Sequence, residues 1–249
     1  MSVKVVVITG ASSGIGAALA EHLARTTDYQ LVLVARRKDA LDAVAARCDG
    51  KAAVVVADVE KRNEVRTVSD YVLRQLNRID VWVNNAGRGI SRPPSQLTDD
   101  DVDAMMRINV KSALYGMQEV LPHFKSRGEG HFINISSMLA RIPHAVIRSA
   151  YSASKFYLNA LTAMMRDEVR QTHPDIVFSL VSPSVVVTEF GSNSVHGGPD
   201  SRLLQDGQEA REVAAVIAGV IQSRAPDVYT RKGSRDRVAA HYASIGVDP

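Results

Sequence analysis

The chain has 249 residues, 45% of them hydrophobic and 23% charged, with a formal net charge of +3. That is enough chain for one large soluble domain with a substantial core, and the charge excludes a strongly basic nucleic-acid binder. A single cysteine, Cys48, excludes an internal disulfide, no apolar run reaches the roughly 20 residues of a membrane helix, and the seven histidines show no paired ligand spacing for a metal.

No signal-peptide pattern precedes the first apolar run at Val3, so a cytoplasmic protein is expected. Short, continuously apolar runs occur at Val3–Thr9, Leu31–Ala35, Ala53–Ala57, Val81–Val83, His131–Ile135 and Ile176–Val181. Such runs suit strands buried on both faces. Between them, Ile15–Arg25, Asp39–Arg47, Val65–Leu76, Val102–Phe124 and Tyr151–Val169 carry a helical period. The alternation predicts an α/β fold, a doubly wound parallel sheet covered by helices on both faces, with ligands beyond the C-terminal strand ends.

Chemistry-bearing residues fall just after the strands. Thr9-Gly10-Ala11-Ser12-Ser13-Gly14-Ile15-Gly16 follows the first strand and opens a helix. Glycines there allow a tight turn and close approach to a phosphate, which the helix N-terminus attracts. A plain tight turn is the simpler alternative, but the position after a buried strand favours a dinucleotide site. The second strand ends at Ala35 and runs into Arg36, Arg37 and Lys38. Basic residues there suit the 2′-phosphate of NADP, where an acidic residue would suit the 2′-hydroxyl of NAD. The third strand leads to Asp58-Val59, placed to meet adenine, and the fourth to Asn84-Asn85-Ala86-Gly87.

Thr98, followed by acidic residues, caps the next helix, which carries Asn109 among Ile108, Val110 and Leu114. The fifth strand ends in Ser136-Ser137, and the sixth in Pro183-Ser184, with Val186 and Thr188 beyond. Tyr151 and Lys155 lie four residues apart, hence on one helix face. An ammonium there favours the phenolate and draws the tyrosine toward the range where it can exchange protons.

In this order the motifs TGASSGIG, DV, NNAG, the helix asparagine, NISS, YSASK and the proline-to-threonine segment resemble the short-chain dehydrogenase/reductase family from Val3 to about Thr188. The resemblance implies one Rossmann-type NAD(P)-binding domain over residues 1–249, with NADP(H) as cofactor and a small carbonyl or alcohol as substrate. It implies that Tyr151 is the acid/base and that Lys155 lowers its pKa and holds the nicotinamide ribose. It further implies that Ser137 holds the substrate oxygen, Asn109 orders a proton-relay water, and Thr188 bonds the carboxamide. A homo-oligomer is expected from the same source, a dimer through the helices carrying Asn109 and Tyr151, with a tetramer in doubt. The chain departs from the pattern in the fourteen residues from Ser137 to Tyr151, one more than expected, and in Ser184 where glycine is usual.

The substrate pocket is expected between 88–92, 138–149 and a Gly/Ser/Asn-rich lid at about 189–206. Arg88, Arg92, His144 and Arg148 read as exposed loop charges, contact with an acidic substrate group being the alternative. A catalytically silent NADP-binding sensor or scaffold, and a dehydratase or epimerase on the same fold, are the competing functional readings.

Overall fold

The computed structural model describes residues 3–246. Seven parallel strands form the central sheet in the order β3-β2-β1-β4-β5-β6-β9. These are β1 (Val5–Thr9), β2 (Gln30–Ala35), β3 (Ala52–Val56), β4 (Val81–Asn84), β5 (Gly130–Ile135), β6 (Ile176–Ser182) and β9 (Asp227–Tyr229). The order reverses between β1 and β4, so their C-terminal ends diverge and open a crevice. A short parallel pair, β7 (Val186–Val187) with β8 (Gln208–Glu209), lies outside the sheet.

Helices cover both faces, because both faces of the inner strands are apolar. On one face α1 (Gly14–Thr26), α2 (Lys38–Ala45) and α7 (Ala210–Ser223) pack Leu19, Leu23, Leu41, Val213 and Ile217 against Val6, Ile8 and Ile133. On the other, α3 (Arg62–Leu76), α5 (Ser112–Arg127) and α6 (Ser149–Arg170) pack Val65, Val72, Phe124, Met165 and Val169 against Val7, Trp82, Phe132 and Phe178. Phe124, Phe132 and Phe178 stack in a row with ring centroids 4.7 and 4.9 Å apart. The last helix is α8 (Ser234–Ala243). Among the described residues no helix is long and apolar enough to cross a membrane.

Three expectations change. The first strand starts at Val5 rather than Val3. β3 is a half-exposed strand at the sheet edge, with Val56 50% exposed, and among the described residues no strand pairs with its outer side. The helix expected over Val102–Phe124 is three pieces: α4 (Asp99–Met106), a π turn at Arg107–Lys111, and α5. Thr98 does cap α4, accepting from the Asp101 N–H while the Asp101 carboxylate accepts from the Thr98 N–H. The widened turn falls at Asn109, where π turns commonly mark functional positions. Helix α7 and the β7–β8 pair are additions to the sequence reading.

Candidate active site

A cleft of about 1320 Å³ runs along the C-terminal strand ends. The half at the glycine turn is lined by Gly10, Ser12, Ser13, Gly14, Ile15, Arg36, Arg37, Asp58, Val59, Asn85, Ala86 and Gly87. The other half is lined by Ser137, Met138, Leu139, Ile142, Arg148, Tyr151, Lys155, Pro183, Val186 and Thr188, beneath Glu189–Phe190 and Ser192–Ser194.

The glycine turn is built for close approach. Gly10 and Gly14 hold φ of +66° and +55°, a region that side chains disfavour. A Cβ on Gly16 would sit 2.5 Å from the Gly10 carbonyl and 2.6 Å from Asn85 Nδ2. Asn85 donates to the Thr9 and Gly10 carbonyls at 2.9 and 3.2 Å, tying β4 to the turn. Thr9 and Gly16, both expected to touch cofactor, stand behind the cleft wall. The Thr9 hydroxyl is buried, donates to the Val83 carbonyl and accepts from the Asn85 and Ala86 N–H groups. No side chain caps α1 at Ser13, so its first N–H groups face the cleft, where a phosphate would satisfy them. Past β2, Arg37 donates to Ser12 Oγ at 3.3 Å, and exposed Arg36 lies 3.7 Å from Glu60.

At the other end, Tyr151 and Lys155 are buried on the first turns of α6. Lys155 Nζ donates to the Ile135 carbonyl at 2.8 Å and lies 5.9 Å from the Tyr151 ring centroid. Burial pulls its pKa down to about 8. Burial also pushes Tyr151 up to about 12, against a hydrogen bond with Ser137 and the positive charge of Arg148. Burial is thus the main cause of both shifts, and the ammonium is bonded to a carbonyl and not to the phenol. Ser137 starts a 3₁₀ turn at Met138–Ala140 and its Oγ accepts from the Leu139 N–H. Ser136 is spoken for, donating to Asn159 Oδ1 at 2.5 Å.

Asn109 stands behind the cleft and stitches its floor. Its Oδ1 accepts from the Arg88 N–H at 3.0 Å, and its Nδ2 donates to the Arg88 carbonyl and Ser154 Oγ. A Cβ on Gly87 would lie 3.0 Å from Asn109 Oδ1 and 3.4 Å from Lys155 Nζ, so that glycine keeps the two polar ends open to each other. Beneath, a buried chain links Trp82 Nε1 to Asn84 Oδ1, Asn84 Nδ2 to Asn134 Oδ1, and Asn134 Nδ2 to Thr162 Oγ1, each at 2.8 Å. It binds β4 and β5 to α6.

The segment expected to be a lid, 189–206, is fastened at several points. Val195 pairs with Ile90, the Asp101 carboxylate accepts from Arg92 at 2.8 Å and His196 at 2.7 Å, and Arg88 donates to the Asn193 carbonyl. These contacts hold Asp101 well below the usual carboxylate range, His196 contributing most. All four charges expected to be exposed loop groups are thus bonded locally: Arg88 and Arg148 to the 193–194 segment, Arg92 to Asp101, and His144 Nδ1 to the Ile142 carbonyl at 3.0 Å. Phe190 of the 189–206 segment meets Tyr151 edge-on at 5.3 Å between centroids. Sequence reasoning missed Phe190, Asp101 and His196, whose pairings span distances in the chain that no local pattern encodes.

Residues 4–197 match the family model of the short chain dehydrogenases. The chain belongs to that family. An uncharacterized oxidoreductase of Staphylococcus epidermidis is 34% identical over 197 residues, covering 78% of this chain and 83% of its own. A short-chain dehydrogenase/reductase of Burkholderia phymatum, solved in complex with NAD, superposes with a TM-score of 0.88 at 22% identity, over 100% of this chain and 98% of its own. A short-chain dehydrogenase of Sphingobium yanoikuyae, solved in complex with NADPH, gives 0.82 at 29% identity, over 97% and 93%. This short-chain dehydrogenase therefore shares its fold with proteins that bind either nucleotide.

Proposed function

We propose that the protein is an NADP(H)-dependent oxidoreductase that interconverts a carbonyl and an alcohol, with Tyr151 as proton donor and acceptor. The observation that carries this reading is the convergence of Tyr151, Ser137 and Lys155 in the cleft that the glycine turn opens at its other end. The glycine cradle and the uncapped start of α1 fit a dinucleotide diphosphate. Ser12, Ser13, Gly14 and Ile15 would hold the diphosphate, Asp58 and Val59 the adenine, and Asn85, Ala86 and Gly87 the central ribose. Pro183, Val186 and Thr188 would hold the nicotinamide. Arg36 and Arg37, with no acidic residue at the end of β2, favour the 2′-phosphate, and the NADPH-bound relative supports that choice.

The cofactor, when bound, supplies or takes up the hydride. Ser137 orients the substrate oxygen, and Tyr151 gives that oxygen its proton as the carbonyl carbon becomes an alcohol carbon. Lys155 stays cationic to about pH 8 and stabilises the phenolate that the proton leaves behind. Asn109 fixes the 88 backbone and Ser154 beside this centre, the position from which it would order a relay water. Residues 189–206 act as the lid over a single nucleotide-binding domain. A homodimer contact falls on the outer face of α4 and α6, where Val102, Tyr157 and Met164 are exposed apolar side chains. The test is oxidation of NADPH, with NADH in parallel, against aldehydes, ketones, quinones and diketones. Turnover that prefers NADPH is expected, and inertness toward every carbonyl would contradict the reading.

A further inference from the structure

Arg148, the residue before α6, lines the cleft three positions ahead of Tyr151. Its guanidinium is wedged between two chain segments, since a Cβ on Gly89 or Gly198 would lie 2.9 or 3.1 Å from its Nη1 or Nη2. Nη1 donates to the Ile90 carbonyl at 3.1 Å and to Ser194 Oγ. Among the described residues Nη2 and Nε have no acceptor, and no carboxylate pairs with this side chain. Three neighbouring arginines differ: Arg92 pairs with Asp101, Arg141 with Asp227, and Arg202 with Asp200 and Glu189, whereas Arg88 also lacks a carboxylate and donates to the Asn193 carbonyl. Of the acids lining the cleft, Glu21, Asp58 and Glu60 belong to its glycine-turn half, Glu189 is engaged by Arg202, and Asp206, whose carbonyl accepts from Arg231, makes no ion pair with Arg148.

A half-buried guanidinium stays charged, and desolvating it without a counter-ion is costly. Burial does disfavour the charge here, with only the Tyr151 phenol acting in the other direction. The edge left without acceptors has the fork geometry that takes a carboxylate through two parallel hydrogen bonds. Resting on the proton-transfer role of Tyr151, we propose that Arg148 binds a carboxylate of the substrate, so that the enzyme acts on oxo acids and their hydroxy-acid counterparts. The counter-ion missing from the fold then arrives with the substrate, a few bonds from the carbon that reacts. The opposite wall of Met138, Leu139 and Ile142 is apolar and takes the alkyl chain.

The experiment compares 2-, 3-, 4- and 5-oxo acids with their methyl esters as substrates of the NADPH-loaded protein, in wild type and Arg148→Gln. In at least one pair the acid should exceed its ester in kcat/KM by roughly ten- to a hundredfold, the worth of a charged hydrogen bond. Arg148→Gln should bring that ratio close to one, while Arg148→Lys, which keeps charge without the fork, retains part of it. Esters matching acids in every pair, or a ratio untouched by Arg148→Gln, would overturn the proposal. NADPH affinity of each variant, measured by titration, separates a misfolded chain from a changed preference. If neither acids nor esters turn over, the reductase reading fails, and calorimetric titration of the NADP-loaded protein with the matched alkanoates still decides. Alkanoate binding lost in Arg148→Gln sustains the anion site; absent or unaltered binding sinks it.

Discussion

Lys155→Met should make the protein inactive and no less stable. The Lys155 side chain is 4% exposed, and its one hydrogen-bond acceptor is the Ile135 carbonyl. Burial takes its pKa from 10.5 to about 8. At about 1.4 kcal/mol per pH unit, keeping this ammonium charged at neutral pH costs the fold about 3 kcal/mol. Methionine fills a similar volume without the charge, but leaves the Ile135 carbonyl unpaired, which returns roughly 1–3 kcal/mol. The net change at pH 7 is therefore between zero and about 2 kcal/mol in favour of the variant. In a chain of this size that raises Tm by up to several degrees, at about 2–4 °C for each kcal/mol. The sign with pH follows from the lowered pKa. Between about pH 8 and 10.5 the unfolded chain holds the proton that the folded one has released, so wild-type stability gains on the variant across that window. Thermal unfolding of both proteins from pH 7 to 10 reads this directly. A variant melting well below wild type at pH 7, or a gap that does not shift toward wild type above pH 8, would refute the reasoning.

Two further outcomes follow from charged groups away from the centre. Arg36→Asp with Arg37→Ala should weaken NADPH binding by roughly ten- to a hundredfold and NADH binding little, checked by fluorescence titration; equal losses would remove the 2′-phosphate assignment. His131, at the start of β5, donates through Nε2 to Ser179 Oγ, because that hydroxyl spends its own proton on the Ala225 carbonyl. Its burial, with the charges of Arg224 and Lys4, pulls its pKa from 6.5 to about 3. Stability is then lost as pH falls below about 6.5, by about 3 kcal/mol at pH 4.5. Urea unfolding of His131→Gln at pH 7 and 4.5 should show a smaller acid loss than wild type; an identical loss would clear His131 of the effect.

The sheet was legible because its inner strands are continuously apolar and each is followed by a polar or glycine-rich turn. Most motif residues were legible for the same reason, since they lie within a few positions of a strand end; Asn109, Tyr151 and Lys155 lie well beyond one, and the last two were legible from their spacing on one helix face. Other features depend on contacts across the chain. Asp101 and His196 are 95 residues apart, and nothing local in either neighbourhood encodes their bond. The π turn arises where Asn109 reaches the backbone of residue 88, a constraint that helical periodicity does not carry. Arg148 sits in a segment of loop-like composition, so its burial between Gly89 and Gly198 emerges only when three segments meet. Helix α7 differs: Val213, Ala214, Ile217, Val220 and Ile221 carry the helical period plainly, and the signal lay beyond the last motif.

The central claim is that Tyr151 moves the proton. The direct measurement is NADPH oxidation by wild type and Tyr151→Phe with the best carbonyl substrate, alongside NADPH affinity for each. Loss of the hydroxyl should remove nearly all turnover while affinity for the nucleotide stays close to wild type. Near-normal turnover in Tyr151→Phe would contradict the account, because the substrate oxygen would then be taking its proton from another group.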